Sequence, residues 1–531
     1  MTNQAVPDAG PVRSAEVIAA LCLATDLGMG FPFEHGLHST LISARLAEGL
    51  GVDPDTASQT YFASLLSHSG CTTDAHLTAQ VFGDSLTTSF NPVMYGSRRE
   101  ILSGLARALP PPESAGAARA LQTARRLPRM ARSARPQFTA MCEVAQILAD
   151  GVGLSPSVQG HLAYLFERWD GKGLLGRAKG DGIPMSMRIT LVAIDAAFQR
   201  LLGGEEHAVR VVRERAGHAF DPEVVACLTD NAGEILALDT ETSAWDEVLA
   251  CEPDPHLTLQ GEAIDRALTT MGSFADLISP HLAGHSVGVA ELAAKAAERC
   301  RLNAAEKVTV RRAALVHDLG RVAIGPRIWQ KPGPLTADDW EQVRLHAYHT
   351  ERVLSRSPFL SALARVAGAH HERVDGSGYH RASAGAELPL PARALAAADA
   401  YHAMTEPRPH REPLDREQAA EELAREAGAG RFDADAVTAV VEAAGHQIPR
   451  IERPAGLTDR EAEVVGMLAR GLQTKQVARA LGISVKTADR HIQNAYGKIG
   501  VSTRAAATLF AMEHGLVAWG ELPIADPPLH S

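Results

Sequence analysis

Histidine and aspartate side chains recur in the later half of the chain in a pattern that could bind metal ions. Seven of them are the candidate ligands: His285, His317, Asp318, His346, His370, His371 and Asp399. A single buried histidine is usually a core residue, but a His-Asp and a His-His dipeptide among apolar helices are harder to explain in that way. Buried charge is costly unless it is paired or bound to a metal. Imidazole and carboxylate without thiolate suit iron, manganese, nickel or zinc better than calcium.

The number of donors favours two divalent metal ions, with iron or manganese expected, because a single tetrahedral site needs only four ligands. One carboxylate could bridge the pair, and Asp318 is the candidate bridge. Two adjacent metals can activate water and hold both oxygens of an in-line phosphoryl displacement. The predicted chemistry is therefore phosphoester hydrolysis.

Helix signals place these residues at helix ends and on helix faces. Asn303 begins a predicted helix that runs to Leu319, with Gly320 just beyond it, so that His317 and Asp318 fall in its last turn. Thr336 begins another helix. His346 and His349 lie three residues apart on one face of that helix, but His349 and the later His402 are expected to lie outside the ligand set.

The chain contains an internal repeat. Ala63–Gly70 reads ASLLSHSG and Ala313–Gly320 reads AALVHDLG, while Phe166–Gly173 reads FERWDGKG and His371–Gly378 reads HERVDGSG. The interval between the two motifs is 98 residues in the first copy and 54 in the second, so the first copy carries an insertion. Agreement in order and spacing makes chance similarity an unsatisfactory explanation.

The first copy lacks most of the candidate ligands. Its equivalent positions are assigned to His38, His68, Ser69, Ala140, Leu165, Phe166 and Asp195. Because few ligands remain and no aspartate stands at the bridge, no two-metal site is expected there. Nine arginines lie between Arg98 and Arg135. A solvated helical insertion is preferred over a second anion-binding surface for this segment.

The C-terminal segment has helix-turn-helix spacing. Thr458 and Glu461 form a capping box, a second helix is predicted at Thr474–Leu481, and a third at Val485–Tyr496. Between 457 and 517 there are eight basic and five acidic residues, a charge of +3 in a chain of −11. Such charge separation is typical of a DNA-binding module. The candidate DNA contacts are Lys475, Lys486, Thr487, Arg490, His491, Gln493, Asn494 and Lys498.

Two family resemblances follow from these motifs. The ligand set together with DGSGY at Asp375–Tyr379 closely resembles the HD-GYP subgroup of HD phosphohydrolases. The resemblance implies an all-α bundle, a bi- or trinuclear metal site, hydrolysis of a cyclic dinucleotide such as cyclic di-GMP, and catalytic roles for Asp318 and Arg321. The sequence departs from the family at Arg321, usually Lys, at His380, usually Pro, and at His402, often Asp. Arginine can still orient a phosphate.

The second resemblance concerns residues 457–504, which closely resemble the LuxR-type helix-turn-helix. It implies promoter DNA as a partner and a homodimer reading two half-sites. Asp489 stands where that family commonly has lysine. The leading interpretation is thus a phosphodiesterase fused to a DNA-binding module. A catalytically inactive ligand-sensing regulator and a hydrolase of another nucleotide remain open as alternatives.

Composition bounds the fold and the compartment. With 531 residues, several domains are expected, at 15–240, 256–448 and 455–520. Hydrophobic residues make up 45% and aromatic residues 5%, which with the helix signals favours an all-α fold. No secretory signal or membrane-length apolar run is visible, and the six cysteines are scattered, so a cytoplasmic protein without membrane contact is expected.

Overall fold

The protein is described by a computed structural model that covers residues 10–72, 95–97, 99–101, 103, 116–238, 243–300, 302–445 and 454–513. Within these ranges the fold is almost entirely helical, as predicted, and only Val12–Arg13 and Thr258–Leu259 are strands. Most side chains of the arginine-rich stretch lie outside the described residues, although Arg99 and Arg135 are exposed. None of the helices in these ranges is both long and apolar enough to span a membrane.

The chain divides into two compact units. The first unit is Arg13–Thr258, and the second contains Met1–Val12 and Leu259–Ser531. Each unit contains one copy of the internal repeat. The domain boundaries at 15–240, 256–448 and 455–520 remain predictions.

The first unit is built from nine described helices. They are α1 (Ser14–Met29), α2 (His35–Gly49), α3 (Pro54–Leu66), α4 (Gly116–Gly151), α5 (Pro156–His161), α6 (Met185–Glu214), α7 (Pro222–Asp230), α8 (Ala232–Ile235) and α9 (Ala244–Ala250). Helix α4 contains the end of the predicted insertion and continues into the first copy of the repeat. Helix α6 is kinked at Gly204, whose backbone is non-helical.

The second unit begins with the helices of the second repeat. They are α10 (Glu262–Asp276), α11 (His285–Arg299), α12 (Ala304–Val316), α13 (Pro326–Trp329), α14 (Ala337–Leu354), α15 (Pro358–Ala367), α16 (Leu390–Thr405), α17 (Arg416–Gly428) and α18 (Ala434–Ala444). Helix α16 is largely alanine on its buried faces. Small side chains let neighbouring helices approach closely, so α16 can lie against both α11 and α12.

Local sequence explains where the helices that carry candidate ligands begin. Asn303 and Glu306 form the capping box of α12, and Thr336 and Asp339 form that of α14. Two backbone N–H groups at each helix start are satisfied in this way.

The predicted end of α12 at Leu319 is wrong. The helix ends at Val316, and a 3-10 turn covers Leu319–Ala323. A Cβ atom on Gly320 would lie 2.1 Å from the carbonyl oxygen of His346. Because Gly320 has no side chain, the turn packs closely against α14. This close packing brings His346 next to the His-Asp dipeptide.

The C-terminal module lies within the second unit and consists of α19 (Asp459–Ala469), α20 (Thr474–Ala480), α21 (Val485–Ile499) and α22 (Arg504–Glu513). Thr458 and Glu461 form the predicted capping box, and Ser484 caps α21. Helix α21 runs three residues beyond the predicted Tyr496, because its left-handed terminator is Gly500.

Candidate metal centre

The His-Asp dipeptide lies at the end of α12, where both side chains are fully buried. The Nδ1–H of His317 donates to the carbonyl oxygen of Ala314 at 2.7 Å. This contact turns Nε2 towards Asp318, whose Oδ2 lies 2.9 Å away. The residues that directly follow the helix thus present an imidazole nitrogen and a carboxylate side by side.

A first ligand group forms around this dipeptide. His285, the first residue of α11, places Nε2 3.3 Å from Asp318 Oδ2 and 3.2 Å from Asp399 Oδ1. Asp399 extends from α16 and also approaches His317 Nε2 at 3.6 Å. Ligand atoms of His285, His317, Asp318 and Asp399 all lie within 4.8 Å of one another. Three helices therefore supply one cluster of four donors.

A second ligand group comprises His346, His370 and His371. The Nε2 atoms of His346 and His370 are 3.1 Å apart. Both residues donate Nδ1–H to a carbonyl oxygen three residues earlier, from His346 to Val343 and from His370 to Ala367. Their Nε2 atoms are left facing inward, which is the arrangement that orients histidine for metal binding.

Asp318 lies between the two groups. Its Oδ1 is 3.4 Å from Nε2 of both His346 and His370, while Oδ2 faces His285 and His317. Both Asp318 oxygens, His317 Nε2 and Asp399 Oδ1 are buried, and apart from ion-pair contacts such as that of Asp318 Oδ2 with Arg321 no hydrogen bond from the described residues satisfies them. Converging buried donors that do not satisfy one another are what a metal site requires. The buried donors fit a metal site, and Asp318 faces both ligand groups.

The protonation of the cluster follows from its charges. Burial opposes charge on His317, but Asp318 and Asp399 outweigh it and raise its pKa to about 9. Burial would raise the pKa of Asp318, yet Arg321 and His317 hold it well below its ordinary value. Burial lowers the pKa of His370 to about 4, so this residue is a neutral imidazole at neutral pH. The neutral form is the one that binds metals.

Arg321 is part of the buried site, with 5% of its surface exposed. Its Nη2 lies 2.6 Å from Asp318 Oδ2, and its guanidinium lies over the ring of Trp329 at 5.3 Å. Its Nε and Nη1 have no hydrogen-bond partner in the described part of the chain. Two unsatisfied guanidinium donors beside the Asp318 carboxylate are suited to bind phosphate oxygens.

Sequence reasoning missed Glu406. Its Oε2 accepts from His285 Nδ1 at 2.8 Å, and it forms a third donor group with His285 and His402. Glu406 also pairs with Arg408 at 2.8 Å, so the Arg408–Arg411 loop is tied to the ligand cluster. The only available signal was its position one turn after His402. His349 is half-buried and belongs to none of the three donor groups.

The assignment of equivalent positions in the first copy was partly wrong. Helix α2 begins at His35 after left-handed Glu34, and Asp26 accepts from the N–H of Gly36. Helix α11 begins at His285 after left-handed Gly284, and Asp276 accepts from Ser286 in the same way. His35, not His38, therefore corresponds to His285.

The counterparts of His346 and of the His-Asp dipeptide also differ from the predicted ones. Gly70 approaches the carbonyl of Met141 as Gly320 approaches that of His346. This match puts Met141, not Ala140, in place of His346. It also puts Ser67 and His68, rather than His68 and Ser69, in place of the His-Asp dipeptide.

The counterpart of Asp399 lies on α6. Arg188 binds the Ile183 carbonyl and Asp221 as Arg393 binds the Leu388 carbonyl and Asp433. Counting from these arginines places Ile194, not Asp195, at the position of Asp399. Leu165 and Phe166 do replace the His-His pair, because the glutamate that follows each pair accepts an equivalent backbone N–H.

The candidate DNA-binding residues lie mainly on α21. The side chains of Lys475, Lys486, Arg490, Gln493 and Asn494 are exposed, and His491 is half-buried. Thr487 is engaged with the helix cap at Ser484. Lys498 donates to Glu461 at 2.6 Å, so its charge is used within the module.

Comparisons with known proteins agree with the two motif sets. Residues 270–436 match the HD domain family, and residues 455–511 match the luxR family of bacterial regulatory proteins. The 3'3'-cGAMP-specific phosphodiesterase 3 of Vibrio cholerae is 30% identical over 76% of this chain and 89% of its own length. A cyclic di-GMP phosphodiesterase of Thermotoga maritima is 37% identical over 26% of this chain and 38% of its own length.

A solved structure extends the likeness to the fold. The crystal structure of a cyclic GMP-AMP-specific phosphodiesterase of V. cholerae has a TM-score of 0.57 and 27% identity, and the match covers 83% of this chain and 99% of that one. The chain therefore belongs to the HD-GYP-type family of HD-domain phosphohydrolases. It is a metal-dependent phosphohydrolase fused to a LuxR-type helix-turn-helix module.

Proposed function

We propose that the second unit hydrolyses a phosphodiester bond of a cyclic dinucleotide, with 3'3'-cyclic GMP-AMP or cyclic di-GMP as the substrate. The observation that carries the proposal is Asp318, whose two oxygens face two separate groups of buried ligands. The long match to a 3'3'-cGAMP-specific enzyme favours the mixed dinucleotide over cyclic di-GMP.

In this proposal His285, His317, Asp318 and Asp399 hold one cation, and His346, His370, His371 and Asp318 hold the other. Iron or manganese fits this imidazole and carboxylate set. When bound, such a pair supplies a nucleophile from water at neutral pH and neutralises charge on the phosphate. Glu406 fixes the ring of His285 by accepting from Nδ1.

Arg321 supplies the contact to the substrate. Its Nη2 is held by Asp318, so the guanidinium has a fixed position, and Nε and Nη1 remain to bind the scissile phosphate. A guanidinium preorganised in a buried site stabilises developing phosphoryl charge more strongly than one in water. The residue that departs from the family's lysine thus retains the role of binding the phosphate.

The test combines metal quantification with turnover of both dinucleotides by the full chain. Two helical histidines provide a matched pair: His346 belongs to a ligand group, whereas His349 on the same helix does not. We expect His346→Ala to lose bound metal and hydrolysis, and His349→Ala to keep both. Stoichiometric metal with no turnover of either dinucleotide would instead support a ligand-sensing regulator without catalytic activity.

The C-terminal module is proposed to bind promoter DNA as a homodimer, with α21 in the major groove and half-sites about 10 bp or a multiple apart. Exposed Lys486 and Arg490 would contact the DNA, and Asp489 would oppose a phosphate. We expect Arg490→Ala to weaken binding to a selected DNA site and Asp489→Lys to strengthen it with a steeper salt dependence. Unchanged DNA affinity in both variants would contradict this interface. Lys307→Ala, outside the C-terminal module, is the control and should bind DNA as the wild-type chain does.

A further inference from the structure

Trp329 lies at the wall of the candidate metal centre, although it is not one of the ligands. It is the last residue of the short helix α13. Its ring centroid is 5.9 Å from that of His346, with the two ring planes at 78°. The guanidinium carbon of Arg321 lies 5.3 Å from the centroid of the same indole. One side chain thus contacts both a member of the second ligand group and the arginine proposed to bind the scissile phosphate.

The indole of Trp329 is fixed in position but is not completely buried. Its Nε1–H donates to the backbone carbonyl oxygen of Arg321 at 3.2 Å. Nε1 is the only polar atom of the side chain, so the rest of the ring is apolar. The residue as a whole is half-buried. Part of an oriented aromatic ring is therefore left accessible beside the centre.

Tyr379, another aromatic residue at the centre, is already engaged. Its ring stacks on that of His371, with centroids 4.6 Å apart and planes at 26°. The guanidinium carbon of Arg344 lies 6.0 Å from the centroid of the tyrosine ring. The ligands and Arg321 are imidazole, carboxylate and guanidinium groups, which suit metal and phosphate. Trp329 is therefore the better candidate for a contact with an apolar part of the substrate.

A cyclic dinucleotide presents two kinds of surface to such a site. Its phosphates are anionic, and its nucleobases are flat aromatic rings. Proteins bind unpaired bases largely by stacking them on aromatic side chains, and every base has a π-face for this contact. Each base is joined to a phosphate through one ribose. A ring in contact with Arg321 is therefore within reach of a base whose phosphate is bound by that arginine.

We propose that Trp329 stacks on a nucleobase of the substrate and makes the site prefer purine over pyrimidine bases. The proposal rests on the proposed hydrolysis of a cyclic dinucleotide and identifies the residue that selects the base. A purine has two fused rings, so it offers more stacking surface than a pyrimidine, and stacking strength sets such preferences. Trp329 determines specificity in this assignment, while the metal ligands and Arg321 act on the phosphate.

Two substrates with the same ribose-phosphate ring test the assignment. 3'3'-cyclic GMP-AMP carries two purines, and 3'3'-cyclic di-UMP carries two pyrimidines. The ratio of their kcat/KM values with the metal-loaded full chain measures the preference. We expect Trp329→Leu to lower this ratio by about three- to tenfold, because a stacking contact is lost. A tryptophan that only positioned Arg321 would change kcat for both substrates alike and leave the ratio unaltered.

Trp340→Leu is the matched control. Trp340 is 46% exposed and lies in the first turn of α14, so its replacement should leave both kcat/KM values unchanged. Trp329→Phe retains a smaller aromatic ring and should keep part of the purine preference. It keeps the test decisive if Trp329→Leu loses its metal or its fold, as judged by metal analysis and circular dichroism.

Tryptophan fluorescence after rapid mixing reads binding separately from hydrolysis. 3'3'-cyclic GMP-AMP should quench the wild-type chain saturably, and this quenching should be lost in Trp329→Leu. Saturable quenching without turnover would support stacking and contradict the proposed hydrolysis. Turnover with an unaltered ratio in Trp329→Leu, or quenching that persists in this variant, would overturn the role of Trp329 alone. Absence of both quenching and turnover would overturn both proposals.

Discussion

The two repeat copies share a framework but differ at the sites within it. In both, a left-handed residue precedes the first histidine of a helix, and an aspartate accepts the N–H that follows it. In both, a glycine turn presses against the carbonyl of a neighbouring helix. In the second copy these contacts surround a ligand cluster, whereas in the first they surround an apolar cavity.

The shared features are those that packing demands. A Cβ atom on Gly70 would lie 1.9 Å from a backbone oxygen, and one on Gly320 would lie 2.1 Å from another, so neither site accepts a larger residue. Buried Glu167 and Glu372 hold equivalent turns by accepting backbone N–H groups. These backbone contacts are common to the copy that has the ligand cluster and the copy that lacks it.

The largest effect is expected from a variant that removes the candidate metal centre of the second copy. His317→Ala with Asp318→Ala takes away the bridge and a ligand, so metal binding should be lost and turnover should fall by at least about a thousandfold. Metal analysis and a hydrolysis assay measure this. DNA binding by the C-terminal module should remain, and retained metal would show that the cluster is not the binding site.

Arg321→Ala should have the next largest effect, a loss of about 10²- to 10³-fold in turnover, because two preorganised donors to phosphate disappear. Metal content should change much less than turnover. Arg321→Lys, which restores the family's usual residue, should recover much of the activity. Kinetics and metal analysis on the same preparations separate these outcomes, and equal loss of metal and activity would place Arg321 in metal retention instead.

Glu406→Gln should weaken metal affinity by about 10- to 100-fold, the usual range for a residue that orients a histidine ligand. The substitution keeps the size of the side chain but removes the charge that faces His285 Nδ1. A chelator competition titration measures the affinity. His349→Ala is the control that should keep its metal affinity. An unchanged affinity in Glu406→Gln would show that Glu406 does not support the metal site.

The smallest change in metal content is expected from restoring the dipeptide in the first copy. Ser67→His with His68→Asp should bind no additional metal, because Met141, Leu165, Phe166 and Ile194 still supply no ligands. Placing a carboxylate in the apolar cavity should lower the free energy of unfolding by about 1–3 kcal/mol. Urea denaturation measures this loss, and His68→Asn is the uncharged control. Extra metal in the double variant would mean that the two copies differ less than proposed.

Local signals in the sequence were sufficient for several elements. The helix starts after Asn303, Thr336 and Thr458 were correctly predicted because an N-terminal cap involves only residues up to three positions apart. The end of α12 was misplaced, since the turn after it is set by contact with α14. The register errors in the first copy came from matching residue types. His38 and Asp195 share their types with His285 and Asp399, whereas the contacts of Asp26 with Gly36 and of Arg188 with Asp221 identify His35 and Ile194.

Residue type, periodicity and spacing are local properties, so they were enough to predict the all-α class, the repeat, the set of candidate ligands and the helix-turn-helix. The packing of the helices was needed to establish that Asp318 faces two ligand groups, that Glu406 and Arg321 contact this cluster, and that the first copy encloses a cavity. These features depend on side chains far apart in the chain whose separation is set by how helices pack, and packing is not encoded in any single segment.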